Sequence, residues 1–396
     1  MIRLLVQGHF SCTCSISELT CNYISHLKTE SFSRIFIQDV EHDCHYPIQD
    51  QDKCIDNFTA WRDDPIDVIV RFIEPLDISL HSEKVPIIIY MADVDSCIAN
   101  ASDKEKCEFV AGCKSGQLIP LVPLFWSALQ LVKMKLDAQV LHKGYYDNVY
   151  KPNALNGQET RDILEIDQCS TVILNIQQDF DENEIKCIMN AFKRITLLRS
   201  DVFLVLSVQP KYKKCIDKLF IKLVRDGVID KEYWKALNKK GQVIVISDNL
   251  SSIEQSNLIN SSSIYVSPFT RGSFNTPVLN AMACGVPVIT TESGCTDDLF
   301  IKSSMKIRSA ISKTGVTHRL IPMSLHLTDL IIKCIDSHCI MKQKAMGNVH
   351  TVKQKFTWNK VADDLCDFIW GVVQHVQHPS HPFGNDARSQ INHRLL

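Results

Sequence analysis

Short runs of aliphatic and β-branched residues, each separated from the next by a stretch long enough for a helix, recur along this chain and leave few folds open to it. After residue 170 the pattern is regular. Strand candidates Thr171–Ile176, Val202–Val208, Val243–Ile246, Ile264–Val266 and Val286–Thr290 are interleaved with helix candidates that include Glu182–Leu198 and Tyr212–Val224. Strands that are apolar on both faces and joined by helices predict a parallel sheet with right-handed crossovers.

The first half carries the same signal more loosely. Ile2–Gly8 reads as a buried strand ending in glycine, followed by helical spacing from Ser15 to Leu27, which is a Rossmann-like opening. Ile66–Phe72 and Pro86–Met91 are further strand candidates, and after a helical stretch from Phe125 to Leu136, Ala138–Leu141 closes the series. Lys151–Gln158 then gathers Pro152, Asn153, Asn156 and Gly157, all turn formers, and is read as the boundary. A chain of 396 residues exceeds what one core usually serves. The expectation is α/β, with two Rossmann-like doubly wound domains at 1–152 and 160–350, a closing helix at 351–374 and a flexible tail at 375–396.

Composition excludes several classes. With 43 basic and 45 acidic residues the formal charge is -2, so the broad positive field of a nucleic-acid binder is missing. No run approaches the roughly 20 apolar residues of a membrane span, and the first residues lack the apolar core of a signal peptide. The expected location is cytoplasmic, with the 16 cysteines reduced. No G-x-S-x-G, Walker or H-E-x-x-H motif is present. Glu41-His42-Asp43-Cys44-His45 holds metal-ligand residue types, but consecutive residues converge poorly on one ion, and it is read as a polar loop. His375, His378 and His381 are interrupted by Pro379 and are assigned to the tail. No metal is expected.

The most informative stretch runs from Ile264 to Thr290. It reads as strand, loop, helix, strand: Thr276 suits an N-cap, Pro277 the first helical position and Gly285 the residue past the end. A helix starting at the carboxyl end of a parallel strand offers unpaired N–H groups and a positive dipole end, which bind phosphates.

Pro277–Thr290, PVLNAMACGVPVIT, resembles the signature of retaining glycosyltransferases of the GT-B type, the large family with the E-x7-E motif known as glycosyl transferases group 1. Val140–Gly144 with Tyr150-Lys151-Pro152 resembles the end of the family's first domain, Ala191-Phe192 the first helix of its second domain, and Phe356-Thr357-Trp358 the start of its closing helix. The resemblance implies two domains facing a cleft and transfer of a hexose from a nucleotide sugar to a glycan or small-molecule acceptor, with anomeric configuration retained and no cofactor. It implies a donor site at Gly272, Ser273, Phe274, Asn275, Thr276 and Asn280, and an acceptor side near Gly8 and His9.

The chain departs from that pattern where the chemistry sits. The two motif glutamates correspond to Gly272 and Asn280, and the Arg and Lys that neutralise the departing diphosphate correspond to Gln178 and Asn183. Gly272, Gln178 and Asn183 are therefore the altered catalytic candidates, and Lys186 and Arg271 are nearby substitutes for the lost charge. Two alternatives stay open: a catalytically inactive relative acting as a binding or regulatory module, and another enzyme of GT-B shape such as an epimerase or phosphorylase.

Overall fold

A computed structural model describes residues 2–10, 15–40, 58–62, 64–72, 85–270, 274–299, 305–314 and 317–377. The chain divides into two compact units, one formed by Met1–Gly144 with Phe356–Leu396 and the other by Tyr145–Lys355.

In the first unit, strands β1 (Ile2–Gly8), β2 (Phe32–Asp39), β3 (Thr59–Ala60), β4 (Val68–Phe72), β5 (Ile87–Tyr90), β6 (Leu118–Val122) and β7 (Gln139–Val140) form one sheet in the order β3-β2-β1-β4-β5-β6-β7. All its pairings are parallel. The helices are α1 (Ser15–His26), α2 (Val94–Asn100), α3 (Asp103–Ser115) and α4 (Phe125–Lys133). β4 and β5 are buried at every residue, as expected of strands covered on both faces. The sheet order reverses between β1 and β4, and Gln7 of β1 stands beside both Gln38 and Arg71 in the register. Arg71 is buried and donates through Nε to Gln7 Oε1 at 2.8 Å. β2 was not among the strand candidates: Ser33 and Arg34 are exposed near its start, which breaks the apolar run.

In the second unit, β8 (Thr171–Gln177), β9 (Val202–Val208), β10 (Val243–Ile246), β11 (Ile264–Ser267), β12 (Val288–Thr291) and β13 (Met305–Ile307) form a parallel sheet in the order β10-β9-β8-β11-β12-β13. A two-stranded antiparallel hairpin, β14 (Ser309–Thr314) and β15 (Thr317–Pro322), follows. The helices are α5 (Ala154–Ile163), α6 (Glu182–Thr196), α7 (Lys213–Arg225), α8 (Lys231–Lys239), α9 (Ser252–Ser261), α10 (Thr276–Ala283), α11 (Ser324–Asp336) and α12 (His338–Phe356). One core joins the apolar face of α6 (Ile185, Ile188, Phe192, Ile195) to β9 and to Ile216 and Leu219 of α7. Removing such side chains from water supplies most of the stabilisation.

From Ala154 on, the segment read as a boundary linker is helical and opens α5. Asn153 caps α5 by accepting from Asn156 N at 3.2 Å, and Asn153 N donates to Asn260 Oδ1 of α9 at 2.8 Å. Gly157 is there because the two helices touch: a Cβ at this position would lie 2.4 Å from Asn260 O. The turn-forming residues thus serve a cap and a close helix crossing.

The closing stretch contains a break. α12 ends at Phe356, the Thr357 hydroxyl accepts from Lys360 N at 3.3 Å, and α13 (Trp358–Gln377) begins. α13 belongs to the first unit, where the Trp358 ring meets the Tyr23 ring edge-on at 5.3 Å. His375 lies in α13, while His378 and His381 lie outside the described residues, as does the cluster Glu41–His45.

Candidate functional site

The second sheet reverses its order between β8 and β11, and ligands of open α/β sheets bind beyond the carboxyl ends of strands at such a switch point. β11 leads there into α10. The helix has an asparagine cap, one residue earlier than expected: Asn275, not Thr276, accepts from Val278 N, at 3.2 Å. Thr276 and Pro277 are the first two helical positions, and Gly285, at φ +65°, terminates the helix. Asparagine wins the cap because its amide serves two partners, Oδ1 accepting from the helix and Nδ2 donating to Ser267 Oγ at 3.1 Å. Such caps contribute about 1 kcal/mol.

From that cap a continuous chain of hydrogen bonds crosses the switch point. Ser267 Oγ donates to Glu184 Oε1 at 3.1 Å. Asn175 Nδ2 donates to the same oxygen at 3.0 Å and to Val266 O at 2.8 Å, tying β8 to β11. Gln177 Nε2 donates to Asn175 Oδ1 at 2.8 Å, and Asp181 N donates to Gln177 Oε1 at 3.1 Å. Asp181 in turn is the N-cap of α6, accepting from Asn183 N at 2.8 Å. The caps of α6 and α10, which both start at this end of the sheet, are therefore linked through buried side chains.

Two carboxyl groups occupy this network in different states. Burial pushes Glu184 up to about 7, with the charge of Asp181 adding to the effect and the Asn175 amide and Ser267 hydroxyl opposing it. Burial also acts to raise Asp181, but the Thr270 hydroxyl, the Asn183 amide and the Arg319 guanidinium together hold it below the usual carboxylate range. Near neutrality Asp181 is ionised while Glu184 is shared between its protonated and ionised forms.

Of the residues expected at the site, Phe274 is buried, Asn275 and Thr276 are partly exposed, and Asn280 is 4% exposed. Asn280 Oδ1 is buried with no hydrogen-bond partner among the described residues. Arg271, Gly272 and Ser273 lie outside the described residues. Gln178 is exposed just past β8, and Lys186 is exposed on α6. The Asn183 side chain turns back on Asp181 Oδ1 at 3.3 Å. In the first unit Gly8 ends β1 at the other switch point, packed so closely on α1 that a Cβ would lie 2.8 Å from Thr20 Cγ2. His9 is buried, with Nδ1 2.7 Å from Val40 O.

Sequence reasoning passed over Asn175, Gln177, Asp181, Glu184, Thr270 and Arg319. Part of this was visible: Asn175 and Gln177 interrupt an otherwise apolar strand, and Glu184 falls on the apolar stripe of α6. Polar groups on a buried face need partners, and residues of this type on such a face mark a network.

Residues 201–309, which include β11 and α10, match the model of the family described as glycosyl transferases group 1. No curated protein matches the chain in sequence. Among solved structures, a glycosyltransferase from Rickettsia africae is similar with a TM-score of 0.71 at 11% identity, over 94% of this chain and 98% of its own. Anabaena Alr3699/HepE, solved in complex with UDP, reaches 0.68 at 13% identity over 93% and 99%. The sucrose-phosphate synthase of Thermosynechococcus elongatus reaches 0.66 at 12% identity over 93% and 98%.

The fold is GT-B.

Both parallel α/β units of this chain have counterparts in those structures, since each covers more than nine-tenths of the chain. In GT-B terms, the network from Asn275 to Asp181 lies in the C-terminal Rossmann-like unit. Among the described residues no helix is long and apolar enough to cross a membrane.

Proposed function

We propose that this protein transfers a hexose from a nucleotide sugar to a glycan or small-molecule acceptor in the cytoplasm, with anomeric configuration retained and no metal required. One observation carries the reading: Asn280, 4% exposed and one turn into α10, keeps a buried carbonyl oxygen without a partner among the described residues. Leaving such an acceptor unmet costs about 1–3 kcal/mol. A sugar hydroxyl donating to Oδ1 would offset that cost, and the diphosphate would lie toward the helix start, where backbone N–H groups and the helix dipole favour anions. The family match spans this same segment, and HepE, similar in fold, is known in complex with UDP-glucose.

In this reading Phe274, Asn275 and Thr276, together with Gly272 and Ser273, bind the donor, and the unit that holds Gly8 and His9 binds the acceptor. Catalysis rests on positioning and on stabilising the charge that develops on the departing diphosphate.

The test is incubation of the purified protein with UDP-, GDP- and ADP-sugars and an acceptor panel, reading nucleoside diphosphate release and the anomeric proton of the product. Asn280→Ala should lower turnover about tenfold, the cost of one lost hydrogen bond of this kind, without lowering thermal stability. Absence of both turnover and binding with every donor would sink the proposal.

A second reading has its own observation. Gln178 and Asn183 are uncharged, and the Asn183 side chain is engaged with Asp181. A non-catalytic donor-binding module would show micromolar binding and no product.

A further inference from the structure

The hairpin that follows the sheet brings a cation to the end of β11. Arg319 lies on β15 beside Leu320, whose amide donates to Thr270 O at 2.7 Å, so the hairpin is joined to the chain leaving β11. The Arg319 guanidinium donates through Nη2 to Asp181 Oδ1 at 3.3 Å and through Nε to Thr270 Oγ1 at 3.3 Å. Both contacts are long and single, whereas a guanidinium matched to a carboxylate makes two parallel bonds of about 2.7–2.9 Å. Nη1 has no partner among the described residues, and the side chain is 36% exposed against 17% for Asp181.

Asp181 does not depend on this arginine. It accepts from Asn183 N at 2.8 Å and from the Thr270 hydroxyl, and both bonds survive if Arg319 turns away. Along the hydrogen-bonded chain from Asn275 to Asp181, Thr270 and Arg319, the other ionisable groups are the carboxyls of Asp181 and Glu184, so among the described residues of this chain Arg319 is the one positive charge. A diphosphate carries more negative charge than one carboxylate and presents its oxygens in pairs, which suits the guanidinium fork.

We propose that Arg319 is the residue that binds the diphosphate of the donor nucleotide, and that Asp181 is the counter-ion that positions Arg319 and releases it when the diphosphate arrives. The assignment rests on the glycosyl-transfer reading above. It moves the cationic role from the positions of Gln178 and Asn183 to a hairpin strand more than 130 residues further along the chain.

Calorimetric titration of the full chain with UDP, GDP and ADP and with the matching monophosphates tests it. The wild type should bind one diphosphate more tightly than its monophosphate. Arg319→Ala should weaken that diphosphate about 10- to 100-fold, the loss of a charge-assisted contact, while changing monophosphate binding by less than about threefold. Arg319→Lys keeps the charge without the fork and should fall between, and Asp181→Asn should tighten diphosphate binding. Should the arginine variants bind both ligands as the wild type does, or weaken both equally, the role of Arg319 is overturned and the donor site stands. Should the wild type bind no nucleotide, both proposals fall together. Arg319→Lys and Asp181→Asn keep the test decisive if Arg319→Ala does not fold.

Discussion

The Ser267 hydroxyl donates to Glu184 Oε1 at 3.1 Å, joining residues 83 positions apart. This bond places a carboxyl, pushed up to about 7 by burial, directly behind the strand that delivers α10.

That placement predicts a pH dependence of stability. Below the ordinary value of 4.5 Glu184 is protonated folded or unfolded and contributes nothing. Between 4.5 and about 7 the unfolded chain releases the proton while the folded one retains it, so folding stability falls as pH rises, then levels off. The full effect is on the order of 3 kcal/mol. Glu184→Gln should flatten this slope and make the protein more stable than wild type at pH 8, read by urea denaturation at pH 5, 6, 7 and 8. Equal slopes in the two proteins would refute the assignment.

The cap of α10 is open to a simpler test. Asn275→Ala removes both the bond to Val278 N and the bond to Ser267 Oγ. It should cost about 1–2 kcal/mol, measured as a lower denaturation midpoint at constant slope. Thr276→Ala, at the position first expected to cap, should cost less, because Asn275 keeps the cap.

Two glycines should respond in opposite directions. Gly157→Ala puts a methyl 2.4 Å from the Asn260 carbonyl oxygen and should destabilise by about 1–3 kcal/mol. Gly347, exposed in α12 with nothing within 4 Å of an added Cβ, should gain about 0.5–1 kcal/mol as alanine. Thermal melts of the two variants with similar shifts would contradict the close crossing of α5 and α9.

The parallel α/β character was readable from single segments. Thr171–Gln177 and Val202–Val208 are apolar runs of strand length, and the stripe of Ile185, Ile188, Phe192 and Ile195 has helical spacing. Periodicity is a local property, so an element can be recognised without knowing what it packs against. The same locality explains the misreading of Lys151–Gln158: Asn153 and Gly157 have turn character by type, and only the neighbouring α9 shows that one caps a helix and the other admits a backbone.

The helix start proposed here as the donor site was legible as an element, through the run from Ile264 to Thr290. The hydrogen-bonded network behind that helix start was not. Asn175 and Val266 are 91 positions apart and Asp181 and Arg319 are 138 apart, and they meet because β8 and β11 are neighbours and a hairpin returns to the end of β11. The sequence by itself determined which segments become strands and helices and where one helix offers its N-terminus, since these follow from spacing and local caps. Tertiary structure alone decided which carboxyl is buried, which cap is used and where the cation comes from, because burial, hydrogen-bond partners and charge pairing depend on strand order, which no local pattern encodes.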